Sequence, residues 1–316
     1  MKRLLNLLIL ALSIDALAAD DIRFTAPAVE GGLVRFAIIG DLTGGEREGV
    51  FDAAVAALAQ LNPDFVLSVG DLIEGGTEDV AQMEREWAAF TDRLTPLNMP
   101  LYPLVGNHDI SNMAMREWWE GSVGPRYYHF RLGDYLFLML DSEDFSGQRF
   151  AEIKQLRNDA VAVYKSQGPE AFLATDYSRL DERKFGVMGR AQSDYFIQVL
   201  DKNQDAYWVF VLMHKPLWDS ASSGYADLEQ ALGNFSYSVF NGHEHSYNRE
   251  VRAGVEHIQM GTTGGEFTPK TRGEYMDHIL WVTLGRGGPD MVNIKLEGLV
   301  GRAGVPLLDA ADGASD

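Results

Sequence analysis

The sequence predicts an α/β protein of two packed mixed β-sheets flanked by helices, and three observations carry that expectation. Short apolar runs alternate with helix-period segments through the first hundred residues, the order that builds a parallel sheet. Later runs follow one another with little helix between them, which suits a second sheet. Several runs end on Gly-Asp, Gly-Asn or His, which puts polar groups at the carboxyl rim where open α/β sheets bind ligands. With 46% apolar and 11% aromatic residues among 316, the composition is that of a folded globular chain.

Leu33–Ile39 reads as a buried strand, and Val50–Leu61 carries Phe51, Val55, Leu58 and Leu61 at helical spacing. Phe65–Val69 is the next strand, a helix covers about Glu78–Leu94, and Leu101–Val105 is a third strand. Right-handed crossovers are expected between them. Tyr127–Arg131 and Tyr135–Leu140, joined by Leu132-Gly133-Asp134, form a hairpin whose second run ends at Asp141. From Asp144 to Lys184 the chain turns polar, with a helix over Phe150–Lys165, and this segment is an insertion or lid candidate. A helix over Gln192–Lys202 precedes the fourth core strand, Tyr207–Met213. Tyr237–Phe240, Glu250–Met260, His278–Thr283 and Met291–Leu296 then supply a second, largely antiparallel set.

The ends read differently. Met1-Lys2-Arg3, the apolar Leu4–Ile14 and Ala16-Leu17-Ala18 have the layout of a secretory signal peptide cleaved after Ala18. The apolar stretch is well short of the roughly 20 residues that cross a bilayer, so no permanent anchor is expected. The expected organisation is therefore a signal at 1–18, a domain at 19–300 and a disordered acidic tail at 301–316, in a protein exported to the periplasm or outside. There is no cysteine, so any metal must bind to oxygen and nitrogen. A net charge of −19 makes long nucleic acid a poor partner.

The strand ends carry the chemistry. Phe36–Asp41 ends Gly-Asp, Phe65–Asp71 ends Gly-Asp, and Pro103–Asp109 ends Gly-Asn-His-Asp. Val209–Met213 runs into His214, and Val239–Gly242 runs into His243-Glu244-His245. Glycine before a ligand lets the backbone come close to an ion or phosphate without a Cβ in the way. Carboxylate, amide oxygen and imidazole together suit manganese, iron or zinc. His243 and His245, two apart, project to one side if the backbone is extended. Any one Gly-Asp is most often a turn; the whole series, each member at a strand end, is better explained by a shared metal site.

These blocks resemble the calcineurin-like metallophosphoesterase superfamily, whose pattern runs D-x-H, G-D-x-x-D, G-N-H-D/E, a lone H and G-H-x-H. Gly242-His243-Glu244-His245-Ser246-Tyr247-Asn248-Arg249 also looks like the last block of purple acid phosphatases. The resemblance implies a four-layer α/β/β/α sandwich holding two metal ions. Asp71 would bridge the ions, with Asp41 and His245 on one and Asn107, His214 and His243 on the other. A hydroxide between the metals would attack a phosphate ester, with His108 facing the leaving group. Two positions depart from the pattern. Thr43 stands where the first block has histidine, and Glu74 stands where purple acid phosphatases carry a tyrosine ligand. Glu74 either ligates the first metal or, as favoured here, orients His108. A small phosphomonoester is the favoured substrate, on the last block alone; a diester with the same site and a non-catalytic metal-binding or recognition module are the alternatives.

Other residues have plainer readings. His129, His257 and His278 lie within expected strands and read as structural. Trp118-Trp119 either wall the substrate or pack the core. Asp109 either orients an imidazole or caps a helix starting near Asn112.

Overall fold

The computed structural model describes residues 22–29, 32–220, 224–267, 273–285 and 287–298. The expected signal at 1–18 and tail at 301–316 lie outside them. Among the described residues, eleven strands form two sheets. In the first, β1 (Val34–Ile39) runs parallel to β2 (Phe65–Ser68), which runs parallel to β3 (Leu101–Tyr102). On its other side β1 pairs antiparallel with β10 (His278–Gly285), and β10 with β11 (Gly288–Lys295).

The second sheet has a parallel centre of β5 (Tyr135–Met139), β6 (Trp208–Leu212), β7 (Tyr237–Asn241) and β9 (Val255–Gln259). Its edges are the antiparallel strands β4 (Tyr128–Leu132) and β8 (Asn248–Arg252). This corrects two expectations. The run Glu250–Met260 is a hairpin, turned at Ala253 and Gly254, whose φ values of 49° and 86° fit the type I′ turn that matches strand twist. The last two strands join the first sheet rather than the second, because they pair with β1, which lies far away in sequence.

The layers follow from alternation along each strand. Phe36 and Ile38 of β1 point between the sheets, where they meet Phe137, Phe210, Leu212 and Phe240. The Phe36 ring stacks on Phe65 at 5.0 Å and meets Phe137 and Phe210 edge-on at 5.5 and 5.3 Å. Ala37 and Ile39 point outward against α1 (Val50–Leu61), α2 (Val80–Arg93) and α3 (Met113–Ser122). The outer face of the second sheet packs against α8 (Arg190–Lys202) and α9 (Tyr225–Leu232). The stack is thus helix, sheet, sheet, helix. Trp118 and Trp119 belong to the first helical layer, Trp119 edge-on to Trp87 at 5.3 Å, so they pack the core instead of walling a substrate.

Between β5 and α8 the chain forms α4 (Gly147–Gln167), α5 (Pro169–Leu173), α6 (Asp176–Arg179) and α7 (Asp181–Phe185). Only Phe150 and Ala160 of α4 are buried, so this segment caps one side of the molecule and adds little to its core. No helix among the described residues is long and apolar enough to cross a membrane.

His278, the first residue of β10, is buried between two partners: its Nε2 accepts from the Gly261 N–H at 2.8 Å, and its Nδ1 meets Asn293 Oδ1 at 3.0 Å. Nε2 must stay unprotonated for this. Burial drives the imidazole down from 6.5 to about 4, the Asn293 bond only partly offsetting it. Because the folded-state value is the lower one, the unfolded chain takes up the proton first, and stability falls as pH drops from 6.5 to 4. A 2.5-unit gap corresponds to about 3 kcal/mol. Urea unfolding at pH 7 and pH 4 should show His278→Gln losing about 3 kcal/mol less than the parent across that interval; parallel losses would remove His278 from the acid response.

Candidate metal centre

The residues that follow the strand ends converge where the two sheets meet. Asp41 follows β1, Asp71 follows β2, Asn107 follows β3, His214 follows β6, and His243 and His245 follow β7. Ligand atoms of Asp41, Asp71 and His245 all lie within 4.8 Å of one another, and all three residues are buried. His245 Nε2 is 3.4 Å from Asp41 Oδ1. On the other side of Asp71, its Oδ2 lies 3.2 Å from His214 Nε2, which is 3.3 Å from Asn107 Oδ1. The His243 ring is 5.2 Å from that of His214. The two histidines of the His-x-His block thus serve opposite sides, and their backbone is left-handed rather than extended.

That backbone is unusual throughout. Asp41, Asp71, His243 and His245 have φ of 53°, 58°, 74° and 49°, a region that non-glycine residues visit at a cost of order 1 kcal/mol or more. Glycines let the loops close on them. A Cβ at Gly106 would stand 2.1 Å from Asp71 Oδ1, and one at Gly242 would stand 2.4 Å from Asp41 Oδ2.

Hydrogen bonds fix which atoms face the centre. His214 Nδ1 donates to the Val69 carbonyl at 2.8 Å, and His245 Nδ1 donates to the Glu266 carbonyl at 2.6 Å. Each ring thereby turns Nε2 toward the carboxylates, the atom that would bind a metal in place of a proton. Asp41 Oδ1 accepts from the His243 N–H at 2.8 Å, while its Oδ2 is buried with no hydrogen-bond partner among the described residues. A buried carboxylate oxygen without a donor, opposite imidazole lone pairs, is a donor set that fits a cation. Thr43 adds nothing to it: its hydroxyl donates to the carbonyls of Asp71 and Ile73 at 3.1 and 2.9 Å.

Charge coupling is strong. Burial opposes ionisation of Asp71, yet His214, His108 and their hydrogen bonds hold its carboxyl well below the usual carboxylate range. Burial likewise opposes charge on His214, yet Asp71 lifts it to about 9. His245 is raised in the same way against its own burial by Asp41.

His108 lies at the edge of this group. Its N–H donates to Asp71 Oδ1 at 2.9 Å, and its Nδ1 lies 2.8 Å from the Glu74 carbonyl oxygen. The Glu74 carboxylate stands farther off, at 3.8 Å from Nδ1, and accepts the Gly44 N–H at 3.1 Å. The contact that fixes the His108 tautomer is therefore made by the Glu74 main chain. His129, His257 and His278 do not line the cleft.

Asp109 takes a part that neither sequence alternative described. Its Oδ2 accepts from the N–H groups of Gly106 and Asp71 at 2.7 and 2.8 Å, and its Oδ1 from those of Leu72 and Ile73 at 2.9 and 3.1 Å. One carboxylate ties the β2 loop to the β3 loop. Asn112, not Asp109, caps α3, accepting from Met115 N at 3.1 Å. Burial and the Asp71 charge push Asp109 up to about 7, the N–H groups of Gly106, Leu72 and Ile73 pulling the other way. Asp109→Ala leaves buried N–H groups unmatched, each costing about 1–3 kcal/mol, so urea unfolding should show a loss of at least about 3 kcal/mol. A loss below about 1 kcal/mol would mean the loops hold without it.

The centre opens into a cleft of about 480 Å³. Sequence reasoning passed over two of its buried residues, Glu143 and Lys215, whose carboxylate and ammonium pair at 2.7 Å. Their signal was positional: Lys215 directly follows His214, and Glu143 lies two residues past the strand-ending Asp141. Asp141 is buried too, but it is committed to an ion pair with Arg126.

Comparison with known proteins agrees with this geometry. The sequence profile described as calcineurin-like phosphoesterase matches residues 34–247. Purple acid phosphatase 15 of Arabidopsis thaliana is 23% identical over 260 residues, which are 69% of this chain and 41% of that protein. The chain thus spans about two fifths of the length of the curated relative it matches. Among solved structures, a dimetal phosphatase from Danio rerio superposes with a TM-score of 0.56 at 15% identity, covering 84% of this chain and 99% of that one. GAP50, the anchor in the inner membrane complex of Plasmodium, gives 0.55 at 14% identity, covering 85% and 86%. At these identities the two structures show a common fold.

Proposed function

Because the chain belongs to the calcineurin-like phosphoesterase family, we propose that it hydrolyses small phosphate esters, monoesters in preference to diesters, at a pair of manganese, iron or zinc ions. Asp41, Asp71 and His245 would hold one ion, and Asp71, Asn107, His214 and His243 the other. The observation that carries this reading is the position of Asp71, within reach of Asp41 and His245 on one side and of His214 on the other. When bound, such ions neutralise phosphoryl oxygens and lower the pKa of water from 15.7 toward about 7, making a nucleophile available near neutrality.

The chain's own groups do the rest. Asn107 contributes an uncharged oxygen, which limits the negative charge gathered on its side. Because Nδ1–H of His108 donates to the Glu74 carbonyl, Nε2 is the position left for proton transfer, and in the doubly protonated ring Nε2–H would pass its proton to the departing ester oxygen, leaving the neutral Nδ1–H imidazole. The leader at 1–18 supports export of the mature enzyme to the periplasm or beyond.

Two measurements test the proposal. Protein loaded with Mn²⁺ should turn over nitrophenyl phosphate faster than bis-nitrophenyl phosphate, and His108→Ala should lower kcat by about 10²–10⁴-fold with unchanged metal content. Wild-type turnover no greater than that of His108→Ala on both esters sinks the catalytic reading and leaves a metal-binding module. Elemental analysis should give two metal equivalents in the wild type, with Asp41→Ala retaining one. A single equivalent in the wild type that Asp41→Ala leaves in place contradicts the paired assignment.

A further inference from the structure

The cleft has two walls of different character. One is the metal centre. The other is α4 together with α6 and α7, and its inner stripe runs Phe150, Ile153, Lys154, Arg157 and Asn158, spaced i, i+3, i+4, i+7 and i+8. That spacing keeps them on one face of the helix, which passes from apolar to cationic along its length. Tyr177 and Arg183 complete the wall, the guanidinium of Arg183 over the Tyr177 and Phe172 rings at 5.5 and 5.9 Å.

Charge pairing along the cleft is uneven. Glu143 is answered by Lys215, and Glu182 by Arg149 at 2.5 Å. Lys154 pairs with Glu78 at a partly exposed position. Arg157 and Arg183 have no carboxylate partner among the described residues, although the chain carries a net charge of −19. The Tyr177 and Phe172 rings place the Arg183 guanidinium at the cleft without neutralising it, and a guanidinium can make two-point contact with phosphate or carboxylate.

From this we infer that Arg157 and Arg183 form a second anion subsite, and that the preferred substrate is a phosphate ester whose leaving portion ends in another phosphate or a carboxylate. The inference rests on the proposed phosphoesterase reading, because it takes the metal centre to hold the scissile phosphate. An anionic tail would be drawn to the basic wall of an otherwise acidic protein. The apolar part of the stripe, Phe150 and Ile153, would lie beside the carbon skeleton between the two anions.

Three phosphonates that cannot be hydrolysed test it by calorimetric binding to the Mn²⁺-loaded protein: propylphosphonate, 3-phosphonopropionate and propane-1,3-bisphosphonate. The bisphosphonate should bind at least tenfold more tightly than propylphosphonate, and the ratio should fall below about threefold in the Arg157→Gln/Arg183→Gln double variant. A gain shared by 3-phosphonopropionate widens the tail to any anion; a gain confined to the bisphosphonate makes it a phosphate. Equal affinities in the wild type, or a ratio that the double variant keeps, overturn the inference. Turnover of nitrophenyl phosphate by the wild type is read separately, so a chain that hydrolyses this ester without discriminating among the phosphonates keeps the phosphoesterase reading and loses the subsite. A chain that prefers the bisphosphonate through the two arginines without hydrolysing the ester does the reverse.

Discussion

Asp71 is a buried anion, and a buried anion persists only where its charge is answered. Much of the site can be read as that answer. The His108 N–H and the His214 imidazole meet its oxygens at 2.9 and 3.2 Å. Asp41 nevertheless lies within the same 4.8 Å group, and Asp109 holds the Asp71 main chain. The Asp41 Oδ2 atom is buried without a hydrogen-bond partner among the described residues, and a cation would answer it together with the Asp71 carboxylate beside it. The metal reading thus follows from electrostatics as well as from motif.

Holding such a cluster together imposes a second constraint, on the backbone. Four of the six candidate ligands adopt left-handed φ, and each unfavourable residue must be held by bonds around it. Asp109 supplies four of those bonds on one side. On the other, Thr262 Oγ1 donates to the Asp41 carbonyl at 2.7 Å, and Thr263 Oγ1 to the Gly40 carbonyl at 2.9 Å. The loop after β9 therefore locks the loop after β1, which links the last parallel strand of one sheet to the central strand of the other. Both sheets are fastened together through the site.

How much of this was legible in the sequence depended on the range of the interaction. Helix Val50–Leu61 appears with its expected bounds, because 3.6-residue periodicity is a local signal. Strand ends were legible for the same reason, most of them marked by glycine before a polar residue, with Met213-His214 the exception. Pairing of β10 with β1 was not, since residues 280 and 38 meet only after the chain has closed. The fate of Asp109 was hidden because the groups it binds are main-chain N–H groups, whose position depends on two loops folding together. Glu74 illustrates the same limit: its identity suggested a carboxylate contact, whereas its carbonyl makes the bond to His108. The Arg157 and Arg183 wall needed α4, α6 and α7 to be placed before its facing stripe had meaning.

The two walls of the cleft divide the work according to their stability. Ligands at the ends of buried strands inherit the precision of the core, and phosphoryl transfer needs that precision because displaced charges lose their effect steeply. The helical segment over α4–α7 buries little of itself, so its surface can vary in sequence at small cost to the fold. Selectivity for the rest of the substrate belongs on such a surface. On the proposed reading, a basic, partly apolar wall on the helical side and a buried carboxylate centre at the strand ends would form one arrangement, in which the strand ends set the chemistry and the helical segment sets what reaches it.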